Sequence, residues 1–145
     1  NGQTLGSSYG NFAGMLAFRE EWAEVRWLAE KPYDPNEMLW AGLQSFPLLV
    51  KPGGELGFPV ESEDNLRARR TVIAQDKLGR ILFLVTPRGH FTLHQLSRSL
   101  TESDLDLDIA MNLDGGPSTG ILVASPREII PSQTLLPFVI LAYPR

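Results

Sequence analysis

Apolar and polar positions along this chain fall into short runs punctuated by glycine and proline, with one stretch of helical period. Residues 1–14 are rich in Gly, Ser and Asn and read as turn and irregular chain. Met15 to Phe18 is a short apolar run and predicts a strand. Glu20 to Leu28 fits two periods. Trp22, Val25 and Leu28 recur at helical spacing, while Trp22, Glu24 and Arg26 alternate with Ala23, Val25 and Trp27. Valine and tryptophan favour pleated surfaces, so a strand is the better fit. Lys31 to Asn36 is a loop around two prolines, and Trp40 to Lys51 reads as a long strand interrupted at Pro47, an edge or a bulge. Pro52, Gly53 and Gly54 turn the chain. Glu55 to Arg67 has no period and reads as a surface loop, either a connector or a lid.

Val72–Ala74 and Ile81–Val85 are β-rich runs around Asp76-Lys77-Leu78-Gly79, a hairpin signal, and Pro87-Arg88-Gly89 predicts a further turn. Thr92 suits an N-cap, and Leu93, Leu96 and Leu100 share a helical face, so 92–100 is a predicted helix. Ile109–Leu113 and Ile121–Ala124 read as strands and Ser125–Ser132 as an exposed connector. Leu136–Tyr143, nearly all apolar, predicts a central strand. With no β-α-β alternation, the pattern predicts an α+β fold: a mixed, mainly antiparallel sheet with one or two helices.

Length and charge narrow the function classes. The 145 residues suffice for a single domain with a core, and 43% hydrophobic with 21% charged residues fits a globular chain. A net charge of −4 gives no electrostatic case for nucleic acid or an anionic membrane. No apolar run is long enough to span a bilayer. The absence of cysteine removes disulfides, thiolate chemistry and cysteine-ligated metals. His90 and His94 lie four apart, but Gly89 and Phe91 argue against a helix reaching back to 90 and no further ligand accompanies them, so no metal site is assigned. Asp104, Asp106 and Asp108 lack the glycine and glutamate of a calcium loop and read as a solvated segment. Trp22 and Trp27 fit either core packing or the wall of a sugar site.

The stretch from Ala110 to Gly120 carries the candidate chemistry. It approaches as an apolar strand and ends in Asp114, set against Gly115, Gly116, Pro117, Ser118 and Thr119. Glycines permit close approach to the backbone, and consecutive N–H groups in such a turn can hold an anion. Ser118 and Thr119 add hydroxyls, and Asn112 shares a strand face with Asp114. Such a set suits a sugar or a phosphate. Asp-Gly and Gly-Gly are also common turn residues, so spacing alone favours a plain turn over a functional loop. Arg67, Arg69 and Arg70 form the one basic cluster, either a solvated strand entrance paired with Glu61, Glu63 and Asp64 or an anion clamp.

Asn112-Leu113-Asp114-Gly115-Gly116-Pro117-Ser118-Thr119 resembles the signature loop of the phosphodiester glycosidase family. That family includes N-acetylglucosamine-1-phosphodiester α-N-acetylglucosaminidase and bacterial relatives linked to exopolysaccharide. Two more segments resemble it in the same order. Gln44-Ser45-Phe46-Pro47-Leu48-Leu49-Val50 is similar to its Pro-Leu-Leu-Val strand, and Arg69-Arg70-Thr71-Val72-Ile73-Ala74 with Arg80–Val85 to its Arg-Thr hairpin. The likeness covers about residues 40–125. Pro117 departs from the glycine or serine of many relatives and stiffens the loop.

The resemblance implies a hydrolase of sugar-1-phosphodiesters, of N-acetylglucosamine type, in envelope or exopolysaccharide metabolism and outside the cytoplasm. It implies Asp114 and Arg70 as catalytic residues, and Asn112, Gly115, Gly116, Ser118, Thr119, Gln44 and Thr71 as substrate-binding. A non-catalytic glycan-binding or cell-envelope module of the same fold is the alternative. No cofactor is called for, though a divalent cation is compatible. The expected ligand is a carbohydrate or sugar phosphate. Because family members carry an earlier half, residues 1–145 are expected to be the C-terminal part of one such domain. A second chain carrying the N-terminal half is then a candidate partner.

Overall fold

The computed structural model describes residues 5–143. Ten strands and one α-helix form a five-stranded sheet, a three-stranded sheet and a hairpin. In chain order the strands are β1 (Gly14–Phe18), β2 (Ala23–Trp27), β3 (Ala41–Ser45), β4 (Leu48–Lys51), β5 (Glu55–Leu56), β6 (Ala68–Asp76) and β7 (Ile81–Phe91). The helix α1 (Leu93–Thr101) follows, then β8 (Leu107–Asn112), β9 (Ile121–Val123) and β10 (Glu128–Ile130). The large sheet has the order β5-β4-β8-β6-β7 and the small one β2-β1-β3. The fold is α+β as expected, and every strand pairing among the described residues is antiparallel.

Side-chain alternation explains the layering. On one face of the large sheet Leu49, Val50, Val72, Ala74 and Ala110 pack against Leu96 and Leu100 of α1. On the other, Leu48, Ile73, Ile109 and Met111 pack against Leu16 and Val25 of the small sheet. Strands buried on both faces have no polar alternation to show, which is why Leu48–Val50 of β4 and Ile109–Met111 of β8 read as continuous apolar runs. The far face of the small sheet is covered by Leu28, Tyr33 and Leu39 over Ala13, Met15 and Ala17. Buried Arg26 reaches Glu37 and Glu24 there, and the Glu37 bond raises its pKa above the ordinary guanidinium value.

Helix α1 starts in a capping box. Thr92 Oγ1 accepts from Gln95 N–H, and Gln95 Oε1 accepts from Thr92 N–H. Buried Ser97 then ties it to the sheet, donating to the Leu49 carbonyl and accepting from Phe58 N–H.

Four sequence expectations are corrected. Trp40–Lys51 is two strands in different sheets, because the chain crosses from β3 to β4 at Phe46-Pro47. Pro87-Arg88-Gly89 lies inside β7 rather than in a turn; β7 is an edge strand, and its register against β6 shifts between Thr86 and Phe91, so the proline falls at an irregularity in the ladder. Residues 125–132 hold β10, paired with β9. Residues 136–143 form no strand; Phe138 and Tyr143 are each 78% exposed, so apolar composition there does not correspond to a central position. The 55–67 loop also holds β5 and a 3₁₀ turn, Val60–Ser62.

Two outcomes follow. Ile73 is fully buried between the sheets, and Ile73→Ala should cost about 3 kcal/mol in urea unfolding. Asp76 anchors the β6–β7 hairpin, accepting from Leu78 and Arg80 N–H and from the Arg80 guanidinium. Burial pushes its carboxyl up, but those donors outweigh burial and hold it below the usual carboxylate value. The stability this supplies is present above the unfolded-state pKa and is lost as pH falls through the lower folded value. Unfolding followed between neutral and acid pH should show a smaller acid loss in Asp76→Asn than in the unmodified protein.

Candidate active site

The candidate loop is held at its root by the strands beside it. As β8 ends, Asn112 N–H donates to the Pro47 carbonyl at 2.9 Å and Leu113 N–H to the Thr71 carbonyl at 2.8 Å. The chain bends at exposed Asp114 and then passes tightly over β6. A Cβ on Gly115 would stand 2.8 Å from the Arg69 carbonyl, so close approach fixes that position as glycine. Gly116 has φ +60° and starts a 3₁₀ turn, Gly116–Ser118, in which the N–H groups of Ser118 and Thr119 return to Gly115 and Gly116. The N–H groups of Gly115 and Gly116 themselves have no acceptor among the described residues. The far end is strapped by residues 131–133: Gln133 N–H donates to the Pro117 carbonyl at 2.7 Å, and Arg69 Nη2 to the Pro131 carbonyl at 2.9 Å.

A cavity of about 560 Å³ opens beside this loop. Asn112, Leu113, Asp114, Gly115 and Gly116 line one side, Arg70, Ala68 and Leu66 another, and Tyr9, Ser45 and Phe46 the rim. Arg70 is 8% exposed, and its Nη2 donates to the Leu66 carbonyl at 2.6 Å. Its Nε is buried without a partner, and no carboxylate pairs with it among the described residues. Burying a cation without a counter-ion is costly, so this guanidinium is a ready anion site. Asn112 Oδ1 is likewise buried and unpartnered, with Nδ2 donating to the Leu113 carbonyl at 2.8 Å.

Six of the nine residues singled out from sequence thus gather around one loop and cavity: Asp114, Arg70, Asn112, Gly115, Gly116 and, in the turn behind them, Ser118. The other three stand elsewhere. Thr119 is fully buried, and its hydroxyl meets that of Thr71 at 3.3 Å, tying the loop to β6 rather than facing the cavity. Gln44 is engaged with the segment before β1, accepting from Tyr9 N–H at 2.7 Å and donating to Ser8 Oγ at 3.1 Å.

Arg67 and Arg69 donate to the carbonyls of His90 and Pro131, and no ion pair joins them to Glu61, Glu63 or Asp64. Trp22 lies under Arg19 and Lys31, and Trp27 donates to the Asn11 carbonyl; neither lines the cavity. The aromatics at the rim are Tyr9 and Phe46, which sequence reading passed over. Phe46 was marked only by its place at the strand break before Pro47. Among the described residues no group of three or more His, Cys, Asp or Glu is placed to hold a metal. His94 Nδ1 contacts the Phe58 carbonyl, while His90 lies at the end of β7. A second cavity, beside β2 and the β6–β7 turn, contains Glu24, Asp76 and Asp108, all three already bonded to protein donors.

A family model described as phosphodiester glycosidase matches residues 1–136, and the chain belongs to that family. No curated protein matches the chain. Among solved structures, a hypothetical protein from Synechocystis is similar at 18% identity, with a TM-score of 0.44. The match covers 77% of this chain and 29% of that one, so this chain spans under a third of that protein's length.

The close approach at Gly115 generates a direct expectation. Gly115→Ala must push the loop away from β6 and should lower stability by about 2 kcal/mol, read as a shifted urea midpoint.

Proposed function

We propose that the protein hydrolyses sugar-1-phosphodiester linkages of N-acetylglucosamine type, with Asp114 acting at the anomeric carbon and Arg70 holding the phosphate. The observation that carries this reading is the buried Arg70 guanidinium, unpaired with any described carboxylate, in the same cavity as Asp114. A phosphate there replaces a missing counter-ion and accepts the planar fork of the guanidinium. The free N–H groups of Gly115 and Gly116 add neutral donors on the other side.

In this scheme the Asp114 carboxylate faces the positive charge that develops on the sugar ring as the bond to phosphate breaks. Phosphate is already a good leaving group, so protonating it matters less than for an alkoxide. Asn112 and Ser118 orient hydroxyls, while Thr71, Thr119 and Gln44 act indirectly by fixing the loop and the rim. An extracytoplasmic role in envelope or exopolysaccharide metabolism, with a carbohydrate or sugar phosphate as ligand, completes the proposal.

One observation favours a second reading. Asp114 is the one carboxylate lining the cavity, whereas glycosidases ordinarily work with a pair. A glycan-binding module would need no second acid. The two readings separate on one assay. In an enzyme, Asp114→Asn should cut hydrolysis of a sugar-1-phosphodiester by roughly 10³-fold while keeping phosphate affinity. Full activity in that variant sinks the mechanism; absent activity with intact ligand binding in the unmodified protein selects the binding module. Arg70→Gln should weaken inorganic phosphate binding about tenfold by calorimetry.

A further inference from the structure

The cavity has an apolar half that the phosphate chemistry does not use. Phe46 packs edge-on against both Tyr9 and Phe12, with ring centroids 5.2 Å apart in each pair and interplanar angles of 81° and 79°. Tyr9, Phe12 and Phe46 remain 46%, 59% and 47% exposed. Three clustered rings left half in water make an apolar patch that gains by being covered. Tyr9 and Phe46 also line the cavity that contains Arg70 and Asp114, so the patch is continuous with a polar site.

The rings are placed by hydrogen bonds around them. Gln44 fixes the backbone of Tyr9. Phe46 sits directly before Pro47, whose carbonyl takes the Asn112 N–H. The aromatic wall and the Asp114 loop therefore hang from one junction.

We infer that Tyr9 and Phe46 form the subsite for the pyranose ring of the sugar phosphate. This rests on the phosphate reading of Arg70 and adds to it. A cavity of about 560 Å³ is far larger than a phosphate alone requires and falls in the range of small-molecule sites. Its occupant must present an anion to one wall and an apolar surface to the other. A pyranose 1-phosphate does both: the C–H groups of one ring face are weakly positive and meet the negative faces of the aromatic rings. The hydroxyl edge is left for Asn112, which lines the same cavity.

Calorimetric titration of the full chain with inorganic phosphate and with N-acetylglucosamine 1-phosphate tests this. Tyr9→Ala and Phe46→Ala should each weaken the sugar phosphate about tenfold and change inorganic phosphate less than about twofold. Tyr9→Phe keeps the ring and should bind like the unmodified protein. Equal losses for both ligands, or no loss for the sugar phosphate, would overturn the aromatic subsite while leaving the phosphate reading standing. If the unmodified protein binds neither ligand, the phosphate reading fails and the subsite with it.

Discussion

Strand β8 is the constraint on which the rest depends. It pairs with β4 on one side and β6 on the other, and its side chains enter both layers of the core. Ile109, Ala110 and Met111 are each at most 2% exposed. A strand held on two edges and two faces cannot slip register without exchanging the side chains fitted to each layer, Ala110 on one face and Ile109 and Met111 on the other. What leaves its end is therefore delivered to a fixed place, and what leaves it is Asp114.

The loop beyond is rigid for a related reason. Gly115 crosses the Arg69 carbonyl with no room for a side chain, buried Thr119 is pinned to Thr71, and the Pro117 carbonyl is capped from residue 133. Each contact is made with β6 or with the strap. Since Arg70 is on β6 itself, the same contacts that close the loop set its carboxylate and the guanidinium in one cavity. Their separation is a property of the sheet rather than of side-chain flexibility.

Much of this was legible in the sequence where a local rule applied. Thr92 and the leucines after it announced α1, Asp76-Lys77-Leu78-Gly79 announced the hairpin, and the turn chemistry of residues 114–119 announced the loop. Two kinds of information were not local. Pro47 signalled an irregular strand, but that the strand changes sheets there depends on which neighbours β3 and β4 find. Residues 136–143 were apolar enough for a core strand, yet hydrophobicity specifies burial without naming a partner. Similarly, Thr119 and Gln44 carry the right groups for a sugar site, and only tertiary placement turns them to structural use.

The site draws on both sheets, and this ties its geometry to the core between them. Arg70 is on β6 of the large sheet and Asp114 follows the end of its β8, whereas Tyr9 and Phe46 flank strands of the small one. The two sheets meet where Leu16 and Val25 pack on Ile73, Ile109 and Met111. At that meeting a Cβ on Gly14 would stand 3.0 Å from both Leu48 and Met111, so β1 already lies as close to the large sheet as packing allows. Close-packed interiors transmit displacement rather than absorb it. A change of volume between the sheets thus moves the aromatic rim relative to the guanidinium, and with it the span that a ligand must bridge.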